Sequence, residues 1–554
     1  MALDRRSFIS GAGAALLTAG SLELPAADLN ILRPPDLAAL HSSTGLRSLN
    51  RTGDSWQLDD AAVKVAIQPQ EVAITIAAEK TALEHILLRW RLPVPANAKF
   101  LGDHWERSYG DLEWRSNVPN RVMPWYFLLA TEGSATGFGV GTGAAAICFW
   151  QADPEGVSLW LDVRNGGSAV QLGGRTLEAA RIVTAHGNDA FATAKQLCRR
   201  MCQHPRLASG SIYGGNNWYY TYGENFTADD IVRDAELLAE LSADQRNRPF
   251  MVIDMGWARA AEGAGPVNET NAGFQDMPGL VARMKNIDVR PGIWMRPLLT
   301  VERLPESWRM PGSAERMKPG FVVMDPSVPE ALEHIKESVR TIRQWGFELI
   351  KHDFSTYDIL GRWGFQMGVA LTDPGWSFAD KSRTTAEIIG NFYRSLREAA
   401  GETYLIGCNT IGHLGAGVFE AQRIGDDTSG RDWERTRKMG VNTLAFRLPQ
   451  HNTFFAADAD CVALTPDVPW EMTRQWLDLV AHSGTPLFIS ANPRSVGPEQ
   501  KSALKAAFQL AADPQGDIQP VDWMETTAPE KWLASGSRKT YQWYPPAGAS
   551  PFAG

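Results

Sequence analysis

A chain of 554 residues carries only five cysteines, too few and too scattered to frame a disulfide scaffold of that length. Basic residues are in deficit, with 54 Lys and Arg against 63 Asp and Glu and a formal net charge of −9. There is no basic excess to neutralise phosphates and no run of Lys or Arg alternating with aromatics, so nucleic acid is not an expected partner. No stretch beyond the N-terminus reaches the roughly 18 consecutive apolar residues of a membrane helix, and no membrane span is expected. The Gly-rich phosphate loop, the H-E-x-x-H helix and the G-x-S-x-G elbow are also missing, which removes the chemistries that depend on them. Cys198 and Cys202 lie four apart with His204 beyond, but no second ligand pair follows at zinc spacing. Neither a metal nor a cofactor is expected. Cys148, Cys408 and Cys461 fall in apolar, strand-like runs, where a buried thiol is the ordinary outcome.

What is present is a composition of 44% hydrophobic and 21% charged residues with Gly and Pro spread throughout, that of a globular chain of two or more domains. The twenty Trp suit either cores or the stacking of indole on sugar C–H faces. At the start, Asp4-Arg5-Arg6-Ser7-Phe8-Ile9 precedes a short run of small and apolar residues. Paired arginines before a weakly hydrophobic stretch predict a twin-arginine signal over 1–27 and a periplasmic or secreted protein.

Residues 28–208 alternate apolar and polar positions in short runs, Val63, Val65, Ile67 and then Val72, Ile74, Ile76, which predicts an N-terminal β-sandwich. Glycine-rich breaks at 137–143 and at Gly166-Gly167 predict hairpins of the same sheets, and a helix is expected near 190–201. Over 209–515 the pattern becomes strand, loop, helix, which predicts a (β/α)8 TIM barrel. In one unit Ser327-Val328-Pro329-Glu330 predicts a capping box, Leu332, Ile335, Val339 and Ile342 form one helical stripe, and Gly346 is the expected stop. An apolar strand ending in charge follows at 347–353. The same shape recurs at 250–254, 292–296, 404–409 and 419–423. With 212–218 first, the seventh inside 443–460 and the eighth at 484–490, the strands number eight. Residues 516–554, with Trp523, Trp532 and Trp543 among Pro and Gly, predict a short β-rich tail.

In such a barrel the strand ends converge at one rim, which makes Asp254, Asp353 and Asp427 neighbours. Two carboxylates across a pocket suit glycoside hydrolysis, one ionised as nucleophile and the other giving its proton to the leaving oxygen. Lys351, two residues before Asp353, shares its strand face and keeps that carboxylate ionised. Arg423 offers a planar fork to hydroxyls. Asp458, Asp460 and His451, near the seventh strand, read as loop structure, with extra site groups as the alternative. The segment 102–111, dense in polar and aromatic groups, reads equally as a site loop or as a packed surface between domains.

Several of these runs resemble a known group. Val252-Ile253-Asp254 with Gly256-Trp257, Gly292-Ile293-Trp294, Lys351-His352-Asp353-Phe354, Gly407-Cys408 and Arg423-Ile424-Gly425-Asp426-Asp427-Thr428 are similar to the motifs of α-galactosidases of glycoside hydrolase family 36 and its clan, in the expected order. The resemblance implies an α-glycoside hydrolase acting by retaining double displacement on a carbohydrate substrate. Asp353 would be the nucleophile and Asp427, four residues after the motif arginine, the acid/base. It implies that Trp218, Tyr219, Asp254, Trp294, Lys351, Cys408 and Arg423 line the sugar site. It further implies that Trp105, on a loop of the N-terminal domain, covers the barrel mouth. The chain departs at Met255, where the family usually has a second Asp sharing the 4- and 6-hydroxyls, which leaves the sugar in question. The tail is also shorter than is common there. A glycosidase or transglycosidase for another sugar, a carbohydrate-binding protein without turnover, and a homo-oligomer stay open.

Overall fold

The computed structural model describes residues 29–313, 317–514 and 518–550; the twin-arginine segment at 1–27 lies outside the described residues. Two antiparallel sheets, of six and eight strands, occupy the N-terminal part and face each other as a sandwich. In the larger sheet Ala61–Ile67 pairs with Glu71–Ala77 so that Val63 lies opposite Ile76 and Val65 opposite Ile74. Those four side chains are at most 2% exposed, the outcome that period-two alternation dictates when one sheet face is buried. Gly137 and Gly139 do not form the expected hairpin break, because both lie inside the strand Ser134–Val140. The helix Ala190–Met201 packs directly on that strand. A Cβ at Gly137 would sit 2.8 Å from Leu197 Cδ2, so the glycines serve close approach rather than a turn.

The barrel is a parallel sheet whose order runs Ala456–Asp458, Ala421–Arg423, Tyr404–Gly407, Leu349–His352, Arg290–Met295, Phe250–Ile253, Tyr213–Asn216, Leu487–Ala491, Val462–Leu464. Its two ends are one broken strand. Ala456 pairs with Ala421 of the sixth strand, and after a kink at 459–461 Val462 pairs with Ile489 of the eighth. The ring thus closes through a seventh strand that reaches four residues beyond the expected 443–460. Asp460, at the kink, has φ +77°, a conformation that a non-glycine residue adopts only when its surroundings hold it.

The helix Pro329–Gln344 begins one residue later than a capping box at Ser327 requires. Asp325 Oδ1 accepts from Ser327 N at 2.8 Å and Ser327 Oγ accepts from Asp380 N at 3.2 Å, so Ser327 serves the preceding turn. Pro329 starts the helix instead, where its missing N–H is harmless. Ile335, Val339 and Ile342 are buried, and Gly346 ends the helix at φ +95° as expected of a C′ residue. The tail forms a three-stranded sheet, Ile518–Pro520, Lys531–Ala534 and Ser537–Thr540. It is tied to the barrel by Trp433 Nε1 donating to Trp543 O at 2.8 Å and to the sandwich by Trp114 against Trp523, 5.4 Å between centroids. All five cysteines are buried and free. Among the described residues no helix is long and apolar enough to cross a membrane.

Strand alternation turns His352 outward while Lys351 and Asp353 face inward. The imidazole meets the ring edges of Phe392, Tyr393 and Phe419 at 5.6–5.7 Å and neither nitrogen has a partner. Burial lowers its pKa to about 3, and His413, stacked on Trp125, is lowered by burial to the same value. Each folded pKa is below that of the unfolded chain, so this stability is complete above about pH 6.5 and is lost as pH falls, by about 1.4 kcal/mol per unit for each histidine. The urea midpoint should therefore drop between pH 7 and pH 5, and the drop should shrink in His352→Leu. An unchanged pH dependence in that variant would contradict the assignment.

Candidate active site

The first site residues come from the ends of the first, second and fourth barrel strands. Lys351 Nζ and Asn216 Nδ2 both donate to Asp254 Oδ2 at 2.7 Å, and Met255 N donates to Asp254 Oδ1 at 2.8 Å. Asp254 is 2% exposed and so is a buried carboxylate fully met by donors, the condition under which its charge is tolerated. Asp353 lies beside it. Its Oδ1 accepts from Phe354 N at 2.7 Å and Asn409 N at 3.0 Å, and its Oδ2 from Trp294 Nε1 at 3.0 Å. Burial alone pushes the Asp353 pKa up, but the charges of Lys351 and Arg107 and the Trp294 N–H outweigh it and hold the carboxyl below its usual range. Phe354 follows at φ +64°, which swings the chain sharply away from the rim after Asp353.

The sixth strand ends in Arg423, which is 1% exposed. Its Nη2 lies 2.6 Å from Asp460 Oδ2, 2.8 Å from Asp427 Oδ1 and 3.3 Å from Tyr219 Oη, while Nη1 lies 3.8 Å from Cys408 Sγ. Asp460 Oδ2 also accepts from Tyr219 Oη and from Thr428 N and Oγ1. Burial pushes the Cys408 thiol well above its ordinary range, so it is a neutral lining group. Asp427 is 39% exposed at its side chain. Burial opposes its ionisation, yet Arg423, Arg107 and Lys351 together hold its pKa below the usual value. The adjacent Asp426 is gripped by Arg107 and Arg435, each at 2.8 Å. Trp218 stands half-buried at the edge of this group, its N–H on Asn216 Oδ1 at 2.8 Å and its ring tilted against Tyr222.

The structure thus gathers Tyr219, Asp254, Trp294, Lys351, Asp353, Cys408, Arg423 and Asp427 at one rim, with Trp218 at its border. Trp105 does not join them. Its ring is 3% exposed and packs on Trp125 and Phe149 of the sandwich, with Nε1 donating to Gly368 O at 3.1 Å. The loop carrying it does enter the barrel mouth, but through Arg107 two residues on. Sequence reasoning missed Arg107, although the charged segment 102–111 had marked the loop. It also passed over Asn216. Asp460 reads as loop structure rather than as a site group because nothing in the sequence announces a strand kinked at 459–461. His451 is loop structure, its Nδ1 accepting from Ala457 N at 3.2 Å. Asp458 is buried, burial raises its pKa, and its Oδ1 accepts from Asp460 N at 2.9 Å, which supports the kink. No group of three or more His, Cys, Asp or Glu suited to a metal occurs among the described residues.

Chemically, the rim offers an ionised carboxylate at Asp353 and a partly exposed carboxyl at Asp427, both in a polar wall. The scaffold on which they sit is found in solved enzymes. The fold is similar to the α-galactosidase of Thermus thermophilus in complex with p-nitrophenyl α-D-galactopyranoside, with a TM-score of 0.60 and 18% identity over 88% of this chain and 99% of that one. It is also similar to the family 36 α-galactosidase AgaB of Geobacillus stearothermophilus, with a TM-score of 0.56 and 12% identity over 87% and 75% of the two chains. A third match is the α-galactosidase of Lactobacillus brevis, with a TM-score of 0.57 and 12% identity over 86% and 73%. No family model and no curated protein matches the sequence.

Removing one partner of a buried ion pair leaves an uncompensated charge and costs about 3–5 kcal/mol. Asp460→Ala should therefore lower the thermal midpoint clearly, whereas Asp460→Asn, which keeps an oxygen for Thr428, should lower it less. A stability equal to that of the unaltered protein in the Ala variant would show that Asp460 does not neutralise Arg423.

Proposed function

We propose that the chain is an exported, retaining α-glycoside hydrolase of α-galactosidase type, with Asp353 as nucleophile and Asp427 as acid/base. The observation that carries this reading is an ionised, triply hydrogen-bonded Asp353 beside the partly open carboxyl of Asp427. It is supported by likeness of fold to structures bound to p-nitrophenyl α-D-galactopyranoside and to stachyose. Export rests on Arg5-Arg6 and the run that follows.

Asp353, held by Trp294, Phe354 N and Asn409 N, has one direction left for a lone pair, toward an anomeric carbon in the site. It attacks as a carboxylate and forms a glycosyl ester, while Asp427 gives its proton to the departing oxygen. Asp427, now ionised and stabilised by Arg423, takes a proton from water, which attacks the anomeric carbon and displaces the Asp353 carboxylate. Two inversions leave the anomeric configuration unchanged. Both carboxyls are held below their usual range, so Asp427 acquires its proton most readily in acid, and a bound sugar that excludes water eases that step. Asp254, Lys351 and Tyr219 supply the hydroxyl-binding wall.

A general acid matters most when the leaving group is poor. A screen of nitrophenyl α- and β-glycosides should show turnover of α-glycosides, with the α-anomer as first product by NMR. Asp427→Ala should lose far more activity on an unactivated glycoside than on the nitrophenyl one, and azide should restore the second step on the latter. Equal losses on the two substrates, or the same behaviour in Asp426→Ala, would reject the assignment.

Specificity is governed by Met255. Its Cε and the Trp218 ring flank the same point beside Gly223, at 3.7 and 3.3 Å from where a Cβ would stand, which makes an apolar edge next to Asp254. An apolar edge rejects an extra hydroxyl only weakly, whereas a polar one strongly rejects its absence. The expected result is a broad preference, with Met255→Asp raising kcat/KM for α-galactosides relative to other α-glycosides. A preference for α-galactose of more than about a hundredfold in the unaltered protein, equal to about 2.7 kcal/mol, would contradict it.

A further inference from the structure

Arg107 belongs to the N-terminal part of the chain, yet its backbone is stapled to the end of the sixth barrel strand. Ser108 N donates to Ile424 O and Asp426 N to Ser108 O, both at 2.9 Å, and the hydroxyls of Ser108 and Thr443 meet at 2.8 Å. The guanidinium is 7% exposed at its side chain and lies over the rings of Trp363 and Tyr109 at 5.4 and 5.9 Å. Nη2 is 2.8 Å from Asp426 Oδ1, Nη1 is 3.8 Å from Asp427 Oδ1, and Nε is buried without a partner. Arg435 holds the second oxygen of Asp426 at 2.8 Å. Adjacent carboxylates are therefore treated differently. Asp426 is clamped from two sides, whereas Asp427 has one short ionic bond, to Arg423, and remains partly open.

We propose that Arg107 is a positioning residue, supplied from outside the barrel, that withholds Asp426 from reaction and sets the pH range over which Asp353 and Asp427 work as a pair. This rests on the reading of those two residues as nucleophile and acid/base. The groups facing Asp427 are Arg423, Arg107, Lys351 and Arg435 among the cations, with Asp353, Tyr219, the adjacent Asp426, and Asp460 on the shared Arg423 Nη2 opposite them. Those facing Asp353 are Lys351 with its partner Asp254, Arg107, Arg296, Asp427, Cys408 and, on the outer side of the strand, His352. Lys351, Arg423, Arg435 and Arg296 are fixed on the barrel itself; Arg107 comes from another layer to within 3.8 Å of Asp427 Oδ1, and its charge also acts on Asp353. Turnover needs Asp353 ionised and Asp427 protonated. Removing a cation that faces both raises the proton affinity of both, so the two limbs of the pH profile move upward together.

The test is kcat/KM against pH on a nitrophenyl α-glycoside for the unaltered protein, Arg107→Gln and Arg107→Lys. In Arg107→Gln both limbs should move up by about one pH unit, and Lys, which keeps the charge without the fork, should return them toward their original positions. A loss of rate with both limbs unmoved would overturn the proposal. Should Arg107→Gln fail to accumulate as folded protein, Arg107→Met preserves the packing between Trp363 and Tyr109 and carries the same expectation. A titration of the Asp427 carboxyl by 13C NMR reads the same effect without turnover. If no glycoside is hydrolysed, the functional reading fails, and an Asp427 midpoint unmoved by Arg107→Gln would separately overturn the role of Arg107.

Discussion

A guanidinium 1% exposed inside a barrel is the constraint on which the rest of the site depends. Arg423 cannot lose its proton, so the protein must surround it with negative charge, and it does so with Asp460 at 2.6 Å and Asp427 at 2.8 Å. Reaching Arg423 from the seventh strand forces that strand to break, and the break puts Asp460 into the left-handed region at φ +77°. The kinked halves then pair with different neighbours and close the ring. One buried charge therefore connects the barrel's closure to the placement of the acid/base candidate.

The same logic of alternation and charge extends outward. Lys351 and Asp353 face the site while His352, between them, enters an aromatic cage. The outer layer and the reactive face are thus built by consecutive residues of one strand. Around the rim, the sandwich and the tail fix the loops that would otherwise move. Glu106 is buried with Asn409, Tyr109 and Gly364 N as partners, which locks the strand-four and strand-five loops to the sandwich. The tail sheet clamps Trp433 just beyond Asp427. On the proposed reading, a carboxylate that is to meet an anomeric carbon needs such a preorganised frame.

Much of this was legible in the sequence. Strand spacing and polar strand ends led to eight barrel strands and to Asp254, Lys351, Asp353 and Arg423 at one rim, because alternation decides which residues face inward, while Asp427, beyond its strand, was reached by its spacing from Arg423. Contacts between layers were not legible. Gly137 and Gly139 looked like a turn because glycine marks both turns and close packing, and only the helix above them decides. Trp105 was chosen for its ring, but burial in the sandwich core wins for an indole flanked by Trp125 and Phe149. Arg107 takes its place, since a charged fork finds carboxylates whose distance in sequence hides them. Asp460 stays ambiguous in the sequence for the same reason, its role being defined by a partner on another strand.

The central claim is that Asp353 attacks the anomeric carbon. Incubation with a galactose-configured cyclitol aziridine, which alkylates the nucleophile of a retaining α-galactosidase, followed by digestion and mass spectrometry, tests it most directly. The account predicts a single adduct on the peptide containing Asp353, absent in Asp353→Asn and present in Asp426→Asn. An adduct on Asp254 or Asp427, with Asp353 unmodified, would contradict it.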